Sequence, residues 1–398
     1  MVTQPKTNIY ARMAKRLNYP RSKALRKAFE IWVTPEEGEV WMELPAQVDV
    51  IAKKLNRDEA TVAAQIESLF QKGICNETKT PDGRLQYNPV LNNEAISNAV
   101  GYLFATRDWD EKTRSWRNKW VADILDQMQD YEHHDWWRWQ RVDELTNRQL
   151  ASGKGTFQVL PAYVALEKSG CELPPGFTHA GLMARKAEAE GKAILARACI
   201  CRVRMRNKDC EGPIWTCVPR IEDDESHPMA KAVSADDRRV PNTPTSRGQY
   251  KRLSPEEFLE IYRRGEEDLG FVHIGLADGN YYCMCDDDCC DWLTPVKKYV
   301  PDPTEAVDPS PFRAVVNSEI CEGCVKNCVP RCHFKVIKGQ TDPASGKVKA
   351  VVDLSRCVGC GQCVIGCQVE GAITFDLATK LGAPPPKWSE RLTAVRDW

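Results

Sequence analysis

The stretch CVGCGQCVIGC, which runs from Cys357 to Cys367, contains four cysteines in the pattern C-x2-C-x2-C-x3-C. Three thiolates on one tight loop can reach three irons of a single [4Fe-4S] cube, and a fourth on the following helix points to another cube. Gly359 and Gly361 let such a loop wrap closely and present backbone N–H groups to the sulfides. The stretch therefore predicts a cluster-binding loop and implies that a second cluster lies nearby.

Twenty-four residues separate this stretch from a second, upstream string of four cysteines in the pattern C-x2-C-x3-C-x3-C. That string consists of Cys321, Cys324, Cys328 and Cys332. The intervening residues predict a strand, a turn and a strand, and further short strands are predicted at 312–316 and 372–375. The two strings are therefore expected to share one small domain.

The order of the strings predicts two clusters that exchange their fourth ligands. One [4Fe-4S] cluster is expected to take Cys321, Cys324, Cys328 and Cys367. The other is expected to take Cys357, Cys360, Cys363 and Cys332. A pair of structural zinc sites is the alternative, but zinc usually uses paired C-x2-C units with a longer spacer. Two consecutive four-cysteine strings do not have that form.

The composition is that of a globular protein. A length of 398 residues is enough for two or three domains, and 42% hydrophobic with 28% charged residues excludes the disordered, collagen-like and coiled-coil classes. A net charge of −1 gives no basic field that would attract nucleic acid. The chain has no apolar run of about 18 residues and no apolar signal segment at its start. We therefore expect a cytoplasmic protein without a membrane span.

Cysteine is the unusual feature, with 18 residues, of which only Cys75 and Cys171 stand outside the region from Cys199 to Cys367. Clustered cysteines in a cytosolic chain indicate metal or redox chemistry rather than disulfides. The two isolated ones are predicted to be inert buried thiols.

Eight cysteines form two groups in the middle of the chain: Cys199, Cys201, Cys210 and Cys217, and then Cys283, Cys285, Cys289 and Cys290. So many unpaired thiols within reach of one another would be prone to oxidation. We expect a third metal centre here, with an iron–sulfur cluster preferred to zinc; a thiol-rich core and a redox disulfide are the alternatives. Arg202, Arg204 and Arg206 would lower the thiol pKa values and donate to cluster sulfur, whereas Asp286, Asp287 and Asp288 are typical of a solvated turn.

Residues 22–92 predict helices followed by a hairpin, which is a winged-helix pattern. One helix start is marked by Thr34 and Glu37, which form a capping box around Pro35. In DNA-binding winged helices the third helix enters the major groove and should be basic. Here that helix, residues 58–72, carries three acidic side chains and one lysine. A packing or docking role is therefore favoured over DNA binding.

Residues 100–150 are predicted to be helical and rich in aromatics that pack against a neighbouring domain. His133 and His134 lie among them, but adjacent histidines on a helix point about 100° apart, which is poor geometry for one metal ion. Residues 221–253 predict a long polar loop, and Ser254 caps the helix that follows.

Residues 308–378 resemble the two-cluster bacterial ferredoxin domain, on the strength of the two cysteine strings. The first string has an extra residue between its second and third cysteines, and His333 and Gln368 stand where that family usually has proline. The whole chain resembles ferredoxin-type proteins of anaerobic bacteria with a winged-helix-like N-terminus, a Val-Leu-Pro stretch (here 159–161) and two Cys-rich segments. Members of that family usually have more cysteines in the second Cys-rich turn.

The expected fold is an α+β multidomain protein. Its five segments are a winged-helix-like domain at 1–98, an aromatic-rich helical segment at 99–170, a Cys-rich middle domain at 171–305, a ferredoxin-like 2[4Fe-4S] domain at 306–380 and a tail at 381–398.

The favoured function is electron transfer, because two cubes in one small domain form a one-electron relay. We expect the protein to act within a complex and to pass electrons to a partner oxidoreductase. One alternative is an oxidoreductase whose catalytic centre lies in the Cys-rich middle domain and is fed by the ferredoxin domain. The chain has no nucleotide-binding fingerprint and no organised acid–base set, so no catalytic residue is predicted. The other alternative is an iron–sulfur redox-sensing regulator, against which the acidic third helix counts.

Overall fold

The computed structural model describes residues 8–100, 108–110, 112–143, 157–174, 177–205, 210, 212–222, 250–276, 282–343 and 345–382. The chain divides into two compact units. The first comprises Met1–Trp139, Val203–Asp209 and Pro228–Tyr250, and the second comprises Gln140–Arg202, Cys210–His227 and Lys251–Trp398. Helices and several small sheets are mixed along the chain, as an α+β multidomain class requires. The finer division into five segments stays a prediction.

The first unit opens with helices and a hairpin. The helices are α1 (Ile9–Arg16), α2 (Lys23–Trp32), α3 (Pro35–Glu43), α4 (Val48–Leu55), α5 (Glu59–Gln71) and α6 (Asn93–Val100), and strands β1 (Cys75–Lys79) and β2 (Leu85–Pro89) form the hairpin between α5 and α6. The order of helices and strands predicted for residues 22–92 is therefore confirmed.

The predicted capping box at the start of α3 is also confirmed. The Thr34 hydroxyl accepts from the Glu37 N–H, at 3.2 Å, and the Glu37 carboxylate accepts from the Thr34 N–H, at 2.8 Å. The same carboxylate binds the Lys72 ammonium at the end of α5. These bonds tie the start of α3 to the end of α5.

The aromatic segment is less regular than the sequence predicts. It contains the two-residue strands β3 (Trp109–Asp110) and β4 (Ser115–Trp116), helix α7 (Lys119–Tyr131) and a π-helix over Glu132–Arg141. The all-helical prediction is wrong at Trp109 and Trp116, because these rings pack edge to face across the small hairpin, with centroids 4.7 Å apart. Residues 144–150 lie outside the described residues, as does most of the predicted loop at 221–253.

A six-stranded sheet forms the centre of the second unit. Its strands are β5 (Phe157–Leu160), β6 (Ile194–Arg197), β7 (Cys217–Ile221), β8 (Tyr250–Leu253), β9 (Val272–Leu276) and β10 (Tyr282–Cys285), in the order β5-β9-β10-β7-β6-β8. The helices of this part of the chain are α8 (Tyr163–Ser169), α9 (Ala180–Ala189), α10 (Ile200–Met205), α11 (Pro255–Glu267) and α12 (Leu293–Tyr299), followed by a 3-10 turn at Pro303–Ala306. The capping box predicted at Ser254 opens α11.

The two cysteine strings lie between four short strands, as the sequence predicts. Strand β11 (Phe312–Val316) pairs with β14 (Ile373–Leu377), and β12 (Ile337–Thr341) pairs with β13 (Val348–Val352), both antiparallel. A short helix, α13 (Gln362–Gly366), follows the second cysteine loop.

The Val-Leu-Pro stretch attaches the six-stranded sheet to the second cysteine loop. The Val159 N–H donates to the Asp308 carbonyl, at 2.8 Å, and the Ala162 N–H donates to the Cys360 carbonyl, at 3.1 Å. The buried carboxylate of Glu266 accepts from the N–H groups of Tyr163 and Val164, at 2.9 and 2.8 Å. Glu266 therefore fixes the helix that supports this loop.

Within the described part of the chain, no helix is both long enough and apolar enough to cross a membrane.

The α3 capping box gives a stability prediction. Thr34→Ala removes the hydroxyl acceptor and is expected to lower the free energy of opening of α3 by about 1 kcal/mol, measured by native-state hydrogen exchange in peptides that cover Pro35–Glu43. Thr34→Ser keeps the acceptor and is the matched control. Equal exchange in the two variants would show that the cap does not stabilise α3.

Candidate metal centres

Cys332 lies with the three leading cysteines of the second string. Its thiol is close enough to those of Cys357, Cys360 and Cys363 to affect the pKa of each. Cys332 therefore lies within electrostatic range of all three of these thiols. This is the grouping that the exchanged assignment of the second cluster requires.

The first set shows the reciprocal arrangement. The Cys328 thiol lies close to the thiols of Cys324 and Cys367, the last of which is the fourth cysteine of the other string. Cys321 begins the same loop and is buried, and its carbonyl accepts from the Lys349 ammonium. The structure therefore brings together Cys324, Cys328 and Cys367 and places Cys321 on the loop beside them.

Two glycines of the second loop have the conformations that the sequence predicts. Gly359 has φ +68° and Gly361 has φ +89°, in the left-handed region that favours glycine. A Cβ on Gly359 would lie 2.1 Å from the Phe312 carbonyl oxygen, and one on Gly361 would lie 2.5 Å from the Ala165 Cβ. The loop packs so closely against its supports that neither position tolerates a side chain.

The thiols of the second set are buried among amide donors. Burial raises the pKa of Cys360 to about 12 and raises those of Cys357 and Cys363 as well. Backbone N–H groups from the loop donate to Cys357 and Cys360, and the Val336 N–H lies 3.3 Å from the Cys332 Sγ. Because burial disfavours free thiolates while the amides favour negative sulfur, the pocket suits thiolates whose charge a cation balances.

The chemistry of the two sets suits iron–sulfur clusters. Each draws thiols from both strings, the donors are all sulfur, and glycines let the backbone approach closely. Cys363 also lies within electrostatic range of Cys328, so the two sets are neighbours. The eight predicted ligands of the C-terminal strings thus fall into two adjacent groups.

Six of the middle cysteines form a continuous series of thiol contacts, which we call the six-thiol group. In order of contact they are Cys199, Cys201, Cys290, Cys285, Cys283 and Cys217. The Cys283 and Cys217 sulfurs are 3.4 Å apart and sit on paired strands. Residues more than 60 positions apart in sequence are therefore brought into direct contact.

The other two middle cysteines lie together beside a carboxylate. Cys210 and Cys289 are hydrogen-bonded to each other, and their sulfurs and a carboxylate oxygen of Asp288 all lie within 4.8 Å of one another. Both thiols are buried, whereas Asp288 is exposed. We call this the Cys210 site.

Arg202 provides the positive charge predicted near the middle thiols. Its side chain is fully buried, and its charge acts on Cys199, Cys289, Cys210 and Cys285. A hydrogen bond from Cys201, together with the charge of Arg202, lowers the pKa of Cys199. The prediction is wrong for Arg204, whose guanidinium pairs with Glu132, at 2.7 Å, in the first unit; Arg206 lies outside the described residues.

The acidic turn is only partly solvated, in contrast to the prediction. Asp288 is exposed, but burial raises the pKa of Asp286. Asp287 binds the His333 Nδ1, at 2.8 Å, and the Lys297 ammonium. His333, which replaces the usual proline, also contacts the Gly270 carbonyl through Nε2, at 2.6 Å. The replacement therefore ties the first cysteine string to the middle Cys-rich turn.

Three of the middle cysteines, Cys283, Cys285 and Cys290, belong to the same hydrophobic core as the C-terminal sets. Cys283 and Cys285 pair with Ile274 and Val272 across β10 and β9, so these four side chains lie on the same face of the sheet. That face belongs to the core that also contains the buried cysteines of both strings. Met284 points to the opposite face and a different core.

Neither isolated cysteine contributes to these centres. Cys75 is buried as predicted, and burial raises its pKa to about 12. Cys171 is only half-buried, and its thiol lies 3.5 Å from the Phe375 carbonyl. Both remain suitable as control positions.

Two possibilities considered for the first unit were a metal site at His133 and His134 and a DNA-binding surface near Arg57. The geometry of the described residues favours neither. His133 stacks on Trp137, with centroids 4.3 Å apart, whereas His134 is exposed and lies 3.6 Å from Asp130. Arg57 is held by the Glu39 carboxylate and by Gln65, whose side-chain oxygen is 3.3 Å away. An arginine neutralised in this way is poorly suited to phosphate binding.

Several residues that lie next to the candidate metal centres could not be identified from the sequence. Gln362 is fully buried and donates to the Phe271 carbonyl, Arg313 is buried beside Cys357, and Lys297 lies close to Cys332 and Cys360. Each acts across a large sequence separation, and none belongs to a recognisable motif. Only the folded chain reveals them.

Comparison of the chain with models of protein families, with curated proteins and with solved structures found no match.

The close packing of Gly359 gives a prediction for cofactor loading. Gly359→Ala is expected to remove about half of the bound iron and acid-labile sulfide, because the added methyl group must displace the β11 backbone and with it the second loop. Gly346→Ala is the matched control: Gly346 also has a positive φ, of +66°, but nothing lies within 4 Å of the position its Cβ would take. Equal iron loss in both variants would attribute the effect to backbone strain rather than to the loop contact.

Proposed function

We propose that this protein is an electron carrier that binds two [4Fe-4S] clusters and passes single electrons to a partner oxidoreductase. The observation that supports this proposal is the proximity of thiols from different strings: Cys332 acts electrostatically on Cys357, Cys360 and Cys363, and Cys367 acts on Cys328. Separate zinc sites give no reason for such a grouping, whereas two adjacent cubes that exchange their fourth ligands produce it. When bound, the clusters supply one-electron redox chemistry.

The chain's own residues hold the pocket dry and stabilise added negative charge. Phe312, Val364 and Phe375 are buried around the second loop and keep water from the thiolates. The Arg313 guanidinium lies close to Cys357, and the Lys297 ammonium lies close to Cys332 and Cys360. Positive charges and amide donors near cluster sulfur favour the reduced state.

The burial of the two sets suggests a direction for electron flow. Two thiols of the first set, those of Cys324 and Cys367, are half-buried, whereas only Cys332 is half-buried in the second set. Close to the first set, Ile320 and Val348 are among the most exposed large apolar side chains that the structure describes. The first set is thus the side from which a partner protein exchanges electrons.

A third centre in the six-thiol group extends this proposal. The group lies on the sheet face that packs into the same core as both C-terminal sets. Lys297 links the two regions, because it binds Asp287 of the middle turn and lies close to Cys332 and Cys360. An iron–sulfur cluster there would serve either as a further relay or as the catalytic centre of an oxidoreductase fed by the other two. The regulator alternative is disfavoured by the neutralised Arg57.

The exchanged ligands predict an unusual pattern in double variants. Cys332→Ser and Cys360→Ser are each expected to remove one cluster, about four of about eight irons, and the double variant Cys332→Ser/Cys360→Ser should lose no more than either alone. Cys360→Ser/Cys367→Ser should lose nearly all eight. Iron, acid-labile sulfide and EPR spectra of the reduced protein measure these losses.

Cys171→Ser is the control for thiol removal and is expected to keep its full iron content. If Cys332→Ser/Cys360→Ser lost both clusters while Cys360→Ser/Cys367→Ser lost only one, each string would bind its own cluster. The exchanged assignment would then be wrong.

The six-thiol group predicts a separable loss of metal. Cys201→Ser interrupts the contacts to Cys199 and Cys290 and is expected to reduce the metal content, while the EPR signals of the two C-terminal clusters stay unchanged. Metal analysis and EPR on the same anaerobic sample make the comparison. If Cys201→Ser contained as much metal per chain as the wild type, the six-thiol group would be a thiol-rich core rather than a metal centre.

A further inference from the structure

The eight middle thiols are not geometrically equivalent. Among the residues that the structure describes, Cys210, Asp288 and Cys289 are the one group whose three metal-binding atoms all lie within 4.8 Å of one another. In the six-thiol group, each thiol contacts only the thiols before and after it in the series, and no three sulfurs lie within 4.8 Å of one another. The Cys210 site therefore has the dimensions for one ion, and the six-thiol group does not.

The dimensions of the Cys210 site match tetrahedral coordination. A zinc ion binds thiolate sulfur at about 2.3 Å and carboxylate oxygen at about 2.0–2.2 Å. Two sulfurs on such an ion are roughly 3.8 Å apart, which follows from the tetrahedral angle and that bond length. Hydrogen-bonded sulfurs in Cys210 and Cys289, with an oxygen inside the same 4.8 Å limit, need only small shifts to meet these values.

Local packing holds the two thiols in place. A Cβ on Gly212, two residues after Cys210, would lie 2.5 Å from the Phe271 ring, so only glycine lets this segment approach so closely. Cys289 follows β10 in the tight turn that begins at Asp286. Both thiols are buried, and the exposed Asp288 lies on the solvent side of the site.

Arg202 provides an independent indication of negative charge at the site. Its guanidinium is fully buried, and its donors bind the neutral oxygens of Pro213, Thr216 and Met284. Within the described chain, no carboxylate lies within ion-pairing distance of Arg202. A buried guanidinium requires negative charge nearby, and the groups within its electrostatic range are the thiols, among them Cys210 and Cys289, and the carboxylate of Asp286.

We propose that Cys210, Cys289 and Asp288 bind a single divalent metal ion of the zinc type, separate from any iron–sulfur cluster. Two thiolates and a carboxylate around a divalent cation leave one net negative charge, which Arg202 balances. Sites in which the protein supplies three ligands keep the fourth position for water or another small ligand. The exposure of Asp288 places that position toward solvent. The proposal does not depend on the electron-transfer function.

The test uses the full chain, produced with zinc in the growth medium and purified without oxygen. Wild-type protein is expected to contain about one zinc per chain in addition to iron. Cys210→Ser and Asp288→Asn should each weaken zinc binding on the order of tenfold or more, measured by competition with a chromophoric chelator. Asp123→Asn, at a surface carboxylate of α7 that pairs with Lys119, is the control and should retain zinc.

Cobalt(II) substitution reports the ligands directly, because thiolate-to-cobalt charge transfer absorbs in the near ultraviolet in proportion to the number of thiolates. Asp288→Cys should raise this absorption by about half over wild type, and Cys210→Ser should lower it by about half, since two thiolates become three or one. Iron and sulfide contents that stay at wild-type values show that the variants fold. Zinc-free wild-type protein, or zinc binding that Cys210→Ser and Asp288→Asn leave unchanged, would overturn the proposal.

Discussion

The proximity of thiols from two different cysteine strings is the constraint on which the proposal for the C-terminal part of this protein depends. Cys332 lies within electrostatic range of Cys357, Cys360 and Cys363, and Cys367 lies within electrostatic range of Cys328. Each proposed cluster would therefore bind residues far apart in sequence and would link the two halves of the domain. Burial alone favours neutral thiols at these positions, so thiolates here would need the charge of bound metal ions to balance them.

The six-stranded sheet extends this principle to the middle of the chain. Its inner face carries Cys283 and Cys285 into the core that also contains the C-terminal cysteines. Polar contacts fix the relation between the two regions: Asp287 binds His333 and Lys297, and Gln362 binds the Phe271 carbonyl. A protein that only stored thiols would not need such connections. The proposed electron path between neighbouring centres would use them, because electron transfer depends on fixed separations.

The structures that depend on residues close together in sequence were predicted well. The capping boxes at Thr34 and Ser254, the helices and hairpin of the first unit and the four strands around the cysteine strings all follow from local rules. The ligand sets expected from the cysteine spacing stay a prediction. Prediction was poorer where contacts are long-range: Trp109 and Trp116 form a small hairpin, Arg204 pairs with Glu132, and Asp287 is engaged rather than solvated. No local pattern encodes these partners.

The division of the middle cysteines into the six-thiol group and the Cys210 site could not be predicted from the sequence. The spacing of the cysteines does not distinguish Cys210 and Cys289 from the other six. Only their folded positions, beside Asp288 and Arg202, distinguish a pocket for one ion from an extended series of thiols. Charge balance then connects the two kinds of centre. Arg202 faces members of both groups, so that the metal content of one should influence the other.

The most direct test of the account is the iron and acid-labile sulfide content of the wild-type full chain, prepared without oxygen, together with its visible absorption. The account predicts a brown protein with at least about eight irons and about eight sulfides per chain, bleached by reductant. A colourless preparation, or one that contains zinc or iron without sulfide, would contradict it.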